Sequence, residues 1–449
     1  MADRTLNALA RRPALVATWV VPPLLGAVWV LTRYRHTWYF YDEWSLVNSA
    51  ANCNGIVKCA TTSFNGHLWT VPHLTYRVQL DVFGLNGHRF VYAVFVLSLV
   101  ALHVSIAAVL RALRLAPLLC VAAGGLVTYL GVGSQNMVFE IQASTNLASA
   151  ASFAAAAVAM SRPATRSSVA LVSGLCVFAY TCDSATALLG LLFVAVVVWS
   201  RWSRAPIAVA LAPPVVLHLV WLQFGDPGPT FPAPLHDQIK LGIELFVRGA
   251  GGLVGGEVVP GAVVLAATSG CLVIGLLRHR YERPEVLSVL AGTAAAVVAA
   301  VLIAQRRTGA IGDDFVGFNR YVQTESIFLV VVVVPAVAKS LADRWRQSTQ
   351  LALTAMIVVG FLVGLRPLLD YRESFEAYNH SAHSGALEGI ALLERGCPAG
   401  STLDVDAHPA GDASPQITMR LLAQARSEGW LSAPRSTTVT PEVLARVCR

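Results

Sequence analysis

The sequence Tyr39-Phe40-Tyr41-Asp42-Glu43-Trp44 opens a polar segment that extends to Phe90, between two long apolar runs. The run before it, Ala14 to Thr32, is long enough to cross a membrane, because a span needs roughly 20 mainly apolar residues. The two carboxylates follow this run closely. We therefore expect them at the lipid–water boundary, where their charges stay hydrated, at the start of a long external loop (residues 33–89).

The composition is that of a membrane protein. Of the 449 residues, 55% are hydrophobic and only 13% are charged, whereas about a quarter of the residues in soluble domains are charged. The mean hydropathy is +0.60. The net charge of +7 comes mainly from arginines in short connections, a pattern that indicates membrane topology and not nucleic-acid binding. These values exclude a soluble globular protein and predict an all-α polytopic protein whose surroundings are a lipid bilayer.

Apolar runs predict about eleven transmembrane helices. The first lacks a small-residue cleavage site, so we interpret it as an anchor and not as a removable signal peptide. The predicted membrane domain covers residues 1–366, and a tail of residues 367–449 follows. The other ten spans are expected to begin near Phe90, Leu115, Ala143, Ser167, Leu188, Ala205, Val259, Pro284, Val322 and Ser348.

Arginines recur at every second connection between these runs. Because basic residues concentrate in cytoplasmic loops, the N-terminus is expected to be cytoplasmic. An odd number of spans then makes the C-terminus extracytoplasmic, in a multi-pass protein of the plasma membrane. The basic connections contain Arg111 and Arg114, Arg162 and Arg166, Arg201 and Arg204, Arg278, Arg280 and Arg283, and Lys339, Arg344 and Arg346. The alternate, external connections are 38–89, 133–142, 181–184, 225–258 and 305–321.

Two external segments have the period of amphipathic helices that lie in the membrane plane. The first follows Pro72, and its apolar positions are Val71, Leu74, Val78, Val82 and Leu85. The second has apolar Leu235, Ile239, Ile243, Phe246 and Val247 opposite charged Lys240, Glu244 and Arg248. Helices that only cover loop backbone would give the same pattern.

The tail differs from the rest of the chain, because its apolar runs are short and its charge density is higher. We expect a small extracytoplasmic α/β domain there. Outside the cell disulfides persist, so Cys397 is expected to pair with Cys448, and Cys53 with Cys59 across a short loop.

Short motifs recur in the segments expected on the external face. Tyr41-Asp42-Glu43-Trp44 is followed by Asn65-Gly66-His67, Pro72, Arg77 and Phe83-Gly84-Leu85, and later by Gln135-Asn136 with Gln142 and by Asn319-Arg320-Tyr321. One span, an external loop that opens on an acidic pair, in-plane helices and many further spans resemble the GT-C superfamily of membrane glycosyltransferases, in particular a bacterial branch of it. The resemblance extends from about Asp42 to Tyr321 and excludes the tail.

The resemblance implies an enzyme of cell-envelope assembly. It would move a sugar from a polyprenyl-phosphate donor to a glycan, lipid or protein acceptor, by a single inverting displacement on the external face. A carboxylate suits a general base, a forked guanidinium suits a phosphate, and aromatic rings suit sugar faces. Asp42 is the expected base, and Glu43 orients the acceptor or helps to hold a cation. The candidate substrate-binding residues are Trp44, His67, Trp69, His73, Arg77, Glu140, Gln142, Asp183, Arg306, Arg307, Arg320 and Tyr321.

The sequence departs from the family pattern at two acidic positions. Many relatives have two aspartates where this chain has Asp42-Glu43, and the branch often has an aspartate where Glu140 stands. The superfamily includes metal-assisted and metal-independent members, so a divalent Mg or Mn ion is possible but is not specified by one acidic pair.

Structural explanations compete with these assignments. The acidic pair would also suit a solvated loop or a helix N-cap, and His67 would suit a hydrogen-bonded loop. Arg306 and Arg307 would also anchor a span end to lipid headgroups, and Asp183 lies in a tight turn.

Two other functions compete with glycosyl transfer. A transporter or flippase for a lipid-linked sugar would use the same external residues without turnover, and a non-catalytic assembly subunit would have the same fold. Transporters usually have ionisable groups near mid-membrane and internal repeats. The predicted spans contain almost no charge and no convincing repeat, which favours the transferase.

Overall fold

A computed structural model describes residues 13–33, 38–39, 42–53, 55–129, 139–225, 228, 231, 233–254, 258–311, 319–340, 346–411, 414–432 and 437–449. In chain order its α-helices are α1 Pro13–Arg33, α2 Asp42–Asn52, α3 Ile56–Thr61, α4 Thr70–Phe83, α5 His88–Ala112, α6 Pro117–Thr128, α7 Ala143–Ser161, α8 Arg166–Cys182, α9 Ser184–Arg201, α10 Arg204–Phe224, α11 Leu235–Gly252, α12 Val258–Leu277, α13 Arg283–Ile311, α14 Asn319–Ser340, α15 Arg346–Arg395, α16 Met419–Ser427 and α17 Pro441–Val447. Strands β1 Ser63–Phe64 and β2 His67–Leu68 form an antiparallel hairpin, and short 3₁₀ turns lie at Leu85–Gly87 and Glu140–Gln142.

The chain is an all-α multi-pass membrane protein, as its composition predicts. Seven described helices are long and apolar enough to cross a bilayer: Leu85–Ala112, Glu140–Ser161, Ser184–Arg201, Arg204–Phe224, Val258–Leu277, Arg283–Gly309 and Tyr321–Ser340. Shorter apolar helices lie at Val16–Thr32, Pro117–Thr128, Arg166–Cys182 and Gln350–Val359, near the other predicted spans. These helices have only 10–17 residues and are too short to be identified as spans by length. The count of about eleven spans therefore stays a prediction.

Small side chains let the central helices pack closely. Helix α7 is rich in alanine and serine and packs between α5, α8 and α9, and small residues at such interfaces let helix backbones approach each other. A cluster of Phe153, Phe193 and Phe328 joins α7, α9 and α14, with ring centroids 5.5 and 5.6 Å from that of Phe153. Helices α10 and α12 lie at the periphery, since only 11% and 17% of their apolar windows are buried.

Contacts between connections place several predicted cytoplasmic loops together. Arg114, after α5, forms an ion pair with Glu282, before α13. Arg280 donates to the carbonyl oxygens of Lys339 and Ser340 at the end of α14, at 3.2 Å each. Three of the arginine-rich connections therefore share one end of the helix bundle.

Helices α4 and α11 occupy the two segments with amphipathic patterns. Each leaves apolar side chains exposed one turn apart: Val78 and Val82 on α4, and Leu235, Ile239 and Ile243 on α11. On other faces, Arg77 pairs with Asp81 and Arg248 with Glu244. Such exposed stripes suit helices that lie at a lipid surface.

The tail packs against the first loop. Residues from α2 and α4 share one hydrophobic cluster with residues from α15, α16 and α17. The backbone N–H of Leu85 donates to the Trp430 carbonyl at 2.8 Å. Gly84 makes this approach possible, because its φ is +62° and a Cβ there would lie 2.5 Å from the same carbonyl oxygen.

The α/β domain expected in the tail is not confirmed by the described residues. Helix α15 has 50 residues and runs through the predicted boundary at 367, from the apolar stretch into the tail. The described residues after it form two short helices and one isolated bridge, between Leu403 and Cys448, so an α/β domain is not confirmed. Disulfides join Cys397 to Cys448 and Cys53 to Cys59, with Cα–Cα distances of 5.7 and 5.0 Å.

Candidate functional site

Helix α2 has two faces. It begins at Asp42, and both acids lie in its first turn, where the helix dipole favours negative charge. Glu43, Leu46 and Val47 face inward and are buried. Asp42, Ser45 and Ser49 recur at helical spacing and are half-buried. Only the second face can meet a substrate.

The buried face of α2 forms an acidic cluster, which we define as Glu43, His88 and Glu140. The Tyr76 hydroxyl donates to Glu43 Oε1 at 2.7 Å, and His88 Nε2 lies 3.2 Å from Glu140 Oε1. Each member of the cluster is at most 4% exposed. Burial and the Glu43 carboxylate raise the pKa of Tyr76 and of Tyr39, so both phenols remain protonated donors.

The acidic cluster has the donor set of a cation site. One ligand atom from each member lies within 4.8 Å of the others. Two carboxylates and one imidazole suit Mn²⁺ better than Mg²⁺, because Mg²⁺ prefers oxygen ligands and keeps several waters. A cavity of about 20 Å³ borders Glu140 and Tyr76, which is room for one water. The space beside Glu140 is therefore too small for a sugar.

A second group of predicted residues meets at the start of α9. His67 Nδ1 lies 3.8 Å from Asp183 Oδ1. Asp183 also accepts bonds from the N–H groups of Ala185 and Thr186 and from the hydroxyls of Thr186 and Thr145, at 2.8 to 3.4 Å. Asp183 is therefore the N-cap of α9, and it ties this helix to α7.

Two further segments that the sequence places on the external face lie near His67. Burial lowers the pKa of His67; the nearby Asp183 carboxylate raises it, and the Arg307 and Arg306 guanidinium groups lower it further. The Arg306 carbonyl accepts a bond from the Phe231 N–H at 3.2 Å. Gly228 lies against the hairpin turn with a φ of +70°, where a Cβ would be 2.4 Å from the Gly66 nitrogen. The hairpin thus contacts the Gly228 loop, and Phe231 of the same loop connects it to Arg306.

Aromatic and imidazole rings connect His67 to the open face of α2. Trp69 lies 6.3 Å from His67 and 4.8 Å from Phe64, between ring centroids. His73 Nδ1 donates to the Trp69 carbonyl at 2.8 Å, so its Nε2 accepts from the Ser49 hydroxyl at 3.0 Å. Burial lowers the pKa of His73, which keeps this tautomer neutral. We call the series Asp42, Ser49, His73, Trp69 and His67 the loop row.

Other predicted substrate-binding residues have packing roles. Trp44 is fully buried between Trp38 and Tyr39, so it does not present a ring to a sugar. Arg77 donates to the Ala50 and Ala51 carbonyls at the end of α2, at 3.3 Å.

The remaining predicted positions lie away from these groups or outside the described residues. Gln142 is half-buried and ends the 3₁₀ turn after Glu140. Tyr321 packs against the membrane core. Tyr41, the Gln135-Asn136 motif and the side chain of Arg320 lie outside the described residues.

Sequence reasoning missed Tyr76, His88 and Glu325. Tyr76 and His88 lie in the recognised segment but outside its motifs, and only the fold brings them to Glu43 and Glu140. Glu325 lies in α14 with no exposed surface, and neither carboxylate oxygen has a hydrogen-bond partner among the described residues. The sequence did contain an indication of it: Glu325 is a single acid inside an apolar run. The interpretation that the spans contain almost no charge overlooked this residue.

Comparison with family models, with curated proteins and with solved structures finds no match for this chain.

Proposed function

We propose that this protein is an integral-membrane glycosyltransferase of the GT-C type, which transfers a sugar from a polyprenyl phosphate to a cell-envelope acceptor. One observation supports the proposal: four segments that the sequence places on the external face approach one another around His67, and three of them carry residues chosen from the sequence for this chemistry. They contribute the loop row, Asp183, the Gly228 loop and the Arg306-Arg307 pair. A site at the ends of helices, beside the exposed apolar stripes of α4 and α11, suits a substrate whose chain lies in lipid.

Asp42 is the proposed general base. The acceptor hydroxyl oxygen attacks the anomeric carbon, its proton passes to the Asp42 carboxylate, and the bond between the anomeric carbon and the phosphate oxygen breaks. A single displacement of this kind inverts the anomeric centre. The half-buried position of Asp42 supports the choice, because the neighbouring Glu43 is fully buried and occupied by Tyr76.

The leaving group is polyprenyl phosphate, and its negative charge needs cationic donors. Arg306 is exposed and Arg307 is half-buried beside Phe231, with the guanidinium carbon 5.8 Å from the ring centroid. Guanidinium forks match phosphate oxygens. We assign donor-phosphate binding to this pair together with Arg320, and sugar contacts to Trp69 and His67.

The acidic cluster has a supporting role in this proposal. It fixes the buried face of α2 and thereby orients Asp42. Where the enzyme is metal-assisted, Glu43, His88 and Glu140 would hold the ion, which would supply a fixed positive charge behind α2.

The test of this function is turnover by the purified full-length protein. Synthetic polyprenyl phosphates that carry arabinose, mannose, glucose or galactose are offered with a mixture of envelope glycan acceptors, and release of polyprenyl phosphate is measured together with the glycosylated product. We expect turnover with one donor class. No turnover with any donor, in protein shown to be folded, contradicts the proposal.

One observation favours the transporter alternative. Glu325 is an ionisable group inside a membrane helix, and such groups often mark ion or substrate paths. A proteoliposome assay for movement of a lipid-linked sugar, with wild type and Glu325→Gln, tests it. Movement without turnover that is lost in Glu325→Gln would make the protein a transporter.

A further inference from the structure

The end of the bundle opposite the candidate site has a cleft of its own. Helix α5 carries His88 in its first turn and Arg111 in its last, and its 25 residues span about 37 Å at 1.5 Å per residue. The connection from α5 to α6 therefore lies far from the acidic cluster. There, α6 and the first turns of α15 border a cleft of about 460 Å³.

The walls of this cleft are mainly apolar and reach the outer surface of the bundle. Leu115, Pro117 and Leu119 contribute to its lining. Leu118 and Leu351 also line it and are 47% and 60% exposed. An apolar surface that opens outward near the end of membrane helices suits a hydrocarbon chain better than a soluble ligand.

Two arginines border the same cleft. Arg111 donates one bond to the Leu115 carbonyl at 3.2 Å, and a guanidinium has five donors. Arg114 is 62% exposed and pairs with Glu282. The N-terminus of α6 also faces the cleft through Ala116 and Pro117, and the helix dipole adds a partial positive charge there. The polar end of the cleft is therefore cationic.

We propose that this cleft binds an anionic phospholipid. The Arg111 and Arg114 guanidinium groups would hold the headgroup phosphate, and Leu118 and Leu351 would contact an acyl chain. The Ala116 N–H already donates to Gln350 Oε1 at 2.9 Å, so the start of α6 would contribute only its dipole. The charge of the cleft decides against a neutral lipid, and its apolar walls decide against an acidic peptide. Basic clefts between membrane helices recognise lipid headgroups through the same combination. The proposal does not depend on the glycosyltransferase function.

The test compares lipids of one chain length on the purified full-length protein in detergent. We expect dioleoyl phosphatidylglycerol to raise the melting temperature and to remain bound in native mass spectrometry, and dioleoyl phosphatidylcholine to do neither. The double variant Arg111→Gln/Arg114→Gln should lose affinity on the order of tenfold, because each basic side chain contributes independently to the attraction of an anionic headgroup.

Matched variants separate lipid binding from other effects. Arg201→Gln removes an exposed arginine of another basic connection and should bind like wild type. Glu282→Gln breaks the ion pair with Arg114 but keeps both arginines, so it should bind at least as well as wild type. Leu351→Glu places an acid in the cleft at an exposed position and should weaken phosphatidylglycerol binding. It keeps the proposal testable if the double variant does not fold.

Several outcomes overturn the proposal. These are equal effects of the two lipids, unchanged phosphatidylglycerol binding in the double variant or in Leu351→Glu, and loss of binding in Glu282→Gln. A full effect from soluble glycerol 3-phosphate would assign the cleft to a free phosphate and overturn the lipid.

Discussion

Glu43 and Asp183 are both buried acids near the candidate site, but the fold holds them differently. Asp183 accepts bonds from two N–H groups and two hydroxyls around the start of α9. Glu43 accepts from the Tyr76 phenol and shares its surroundings with a second acid, Glu140, and with His88. Two carboxylates so close destabilise each other unless a proton or cation lies between them. Helix capping therefore explains Asp183, whereas folding alone does not explain the acidic cluster.

The largest stability change is expected when the capping carboxylate of Asp183 is removed. Asp183→Ala should lower the free energy of unfolding by about 2–4 kcal/mol, because it removes an N-cap and leaves buried donors unpaired. Unfolding by SDS titration in mixed micelles measures it. Asp183→Asn is the control and should lose less, since its amide oxygen still accepts. A change under about 0.5 kcal/mol for Asp183→Ala would remove the capping role.

The acidic cluster should respond to Mn²⁺. A ligand that binds only the folded state stabilises by about 2.7 kcal/mol at 100 times its dissociation constant, so excess Mn²⁺ should raise the melting temperature of the wild type. Glu140→Gln should abolish this rise, and Asp183→Asn should retain it. If the melting temperature of the wild type does not respond to Mn²⁺ or Mg²⁺, the cluster binds no cation, and Glu43 and Glu140 share a proton instead.

Without a metal, Glu43→Gln should change the free energy of unfolding in the opposite direction to Asp183→Ala. It removes one of two repelling acids, while its amide oxygen still accepts from Tyr76. We expect unfolding free energy equal to that of the wild type or higher, within about 1 kcal/mol. A loss as large as that of Asp183→Ala would show that the Glu43 charge itself stabilises the fold.

The smallest expected effect concerns pH. Burial holds the pKa of His67, His73 and His383 below the usual value of 6.5. Below pH 6.5 the unfolded chain therefore binds more protons than the folded chain, and stability falls as the pH falls. His67→Asn should reduce this dependence by up to about 1 kcal/mol, measured as unfolding at pH 5.5 and 7.5. An unchanged pH dependence of stability in His67→Asn would contradict this prediction. The control is His236→Asn, which replaces an exposed histidine.

The sequence predicts those features that depend on local pattern. Apolar stripes one turn apart placed α4 and α11, and arginine-rich connections predicted loops that share one end. The short spacing of Cys53 and Cys59 pointed to the pair that the structure joins. Each of these signals lies within a few residues of the feature it describes.

Long-range packing could not be predicted in the same way. The composition changes near 367, and we expected a small α/β domain to begin there. In the structure α15 continues through that point, and the tail shares a hydrophobic cluster with the first loop, a contact that the sequence does not indicate. The ring of Trp38 lies 4.3 Å from that of His383, and nothing in either segment indicates the other. Neither His88 in the acidic cluster nor Tyr76, which donates to Glu43, could be predicted from the sequence for the same reason, since only the tertiary fold brings them to Glu43.

Asp42, on the open face of α2, is the proposed general base, and Glu43 is proposed to support it from the buried face. The most direct measurement is the transfer rate of Asp42→Asn beside Glu43→Gln, with synthetic polyprenyl-phosphate sugar as donor. We expect Asp42→Asn to keep donor binding and to lose about 10²–10⁴-fold in rate, and Glu43→Gln to lose less. Full activity in Asp42→Asn with loss in Glu43→Gln would exchange their roles, and full activity in both would contradict the claim.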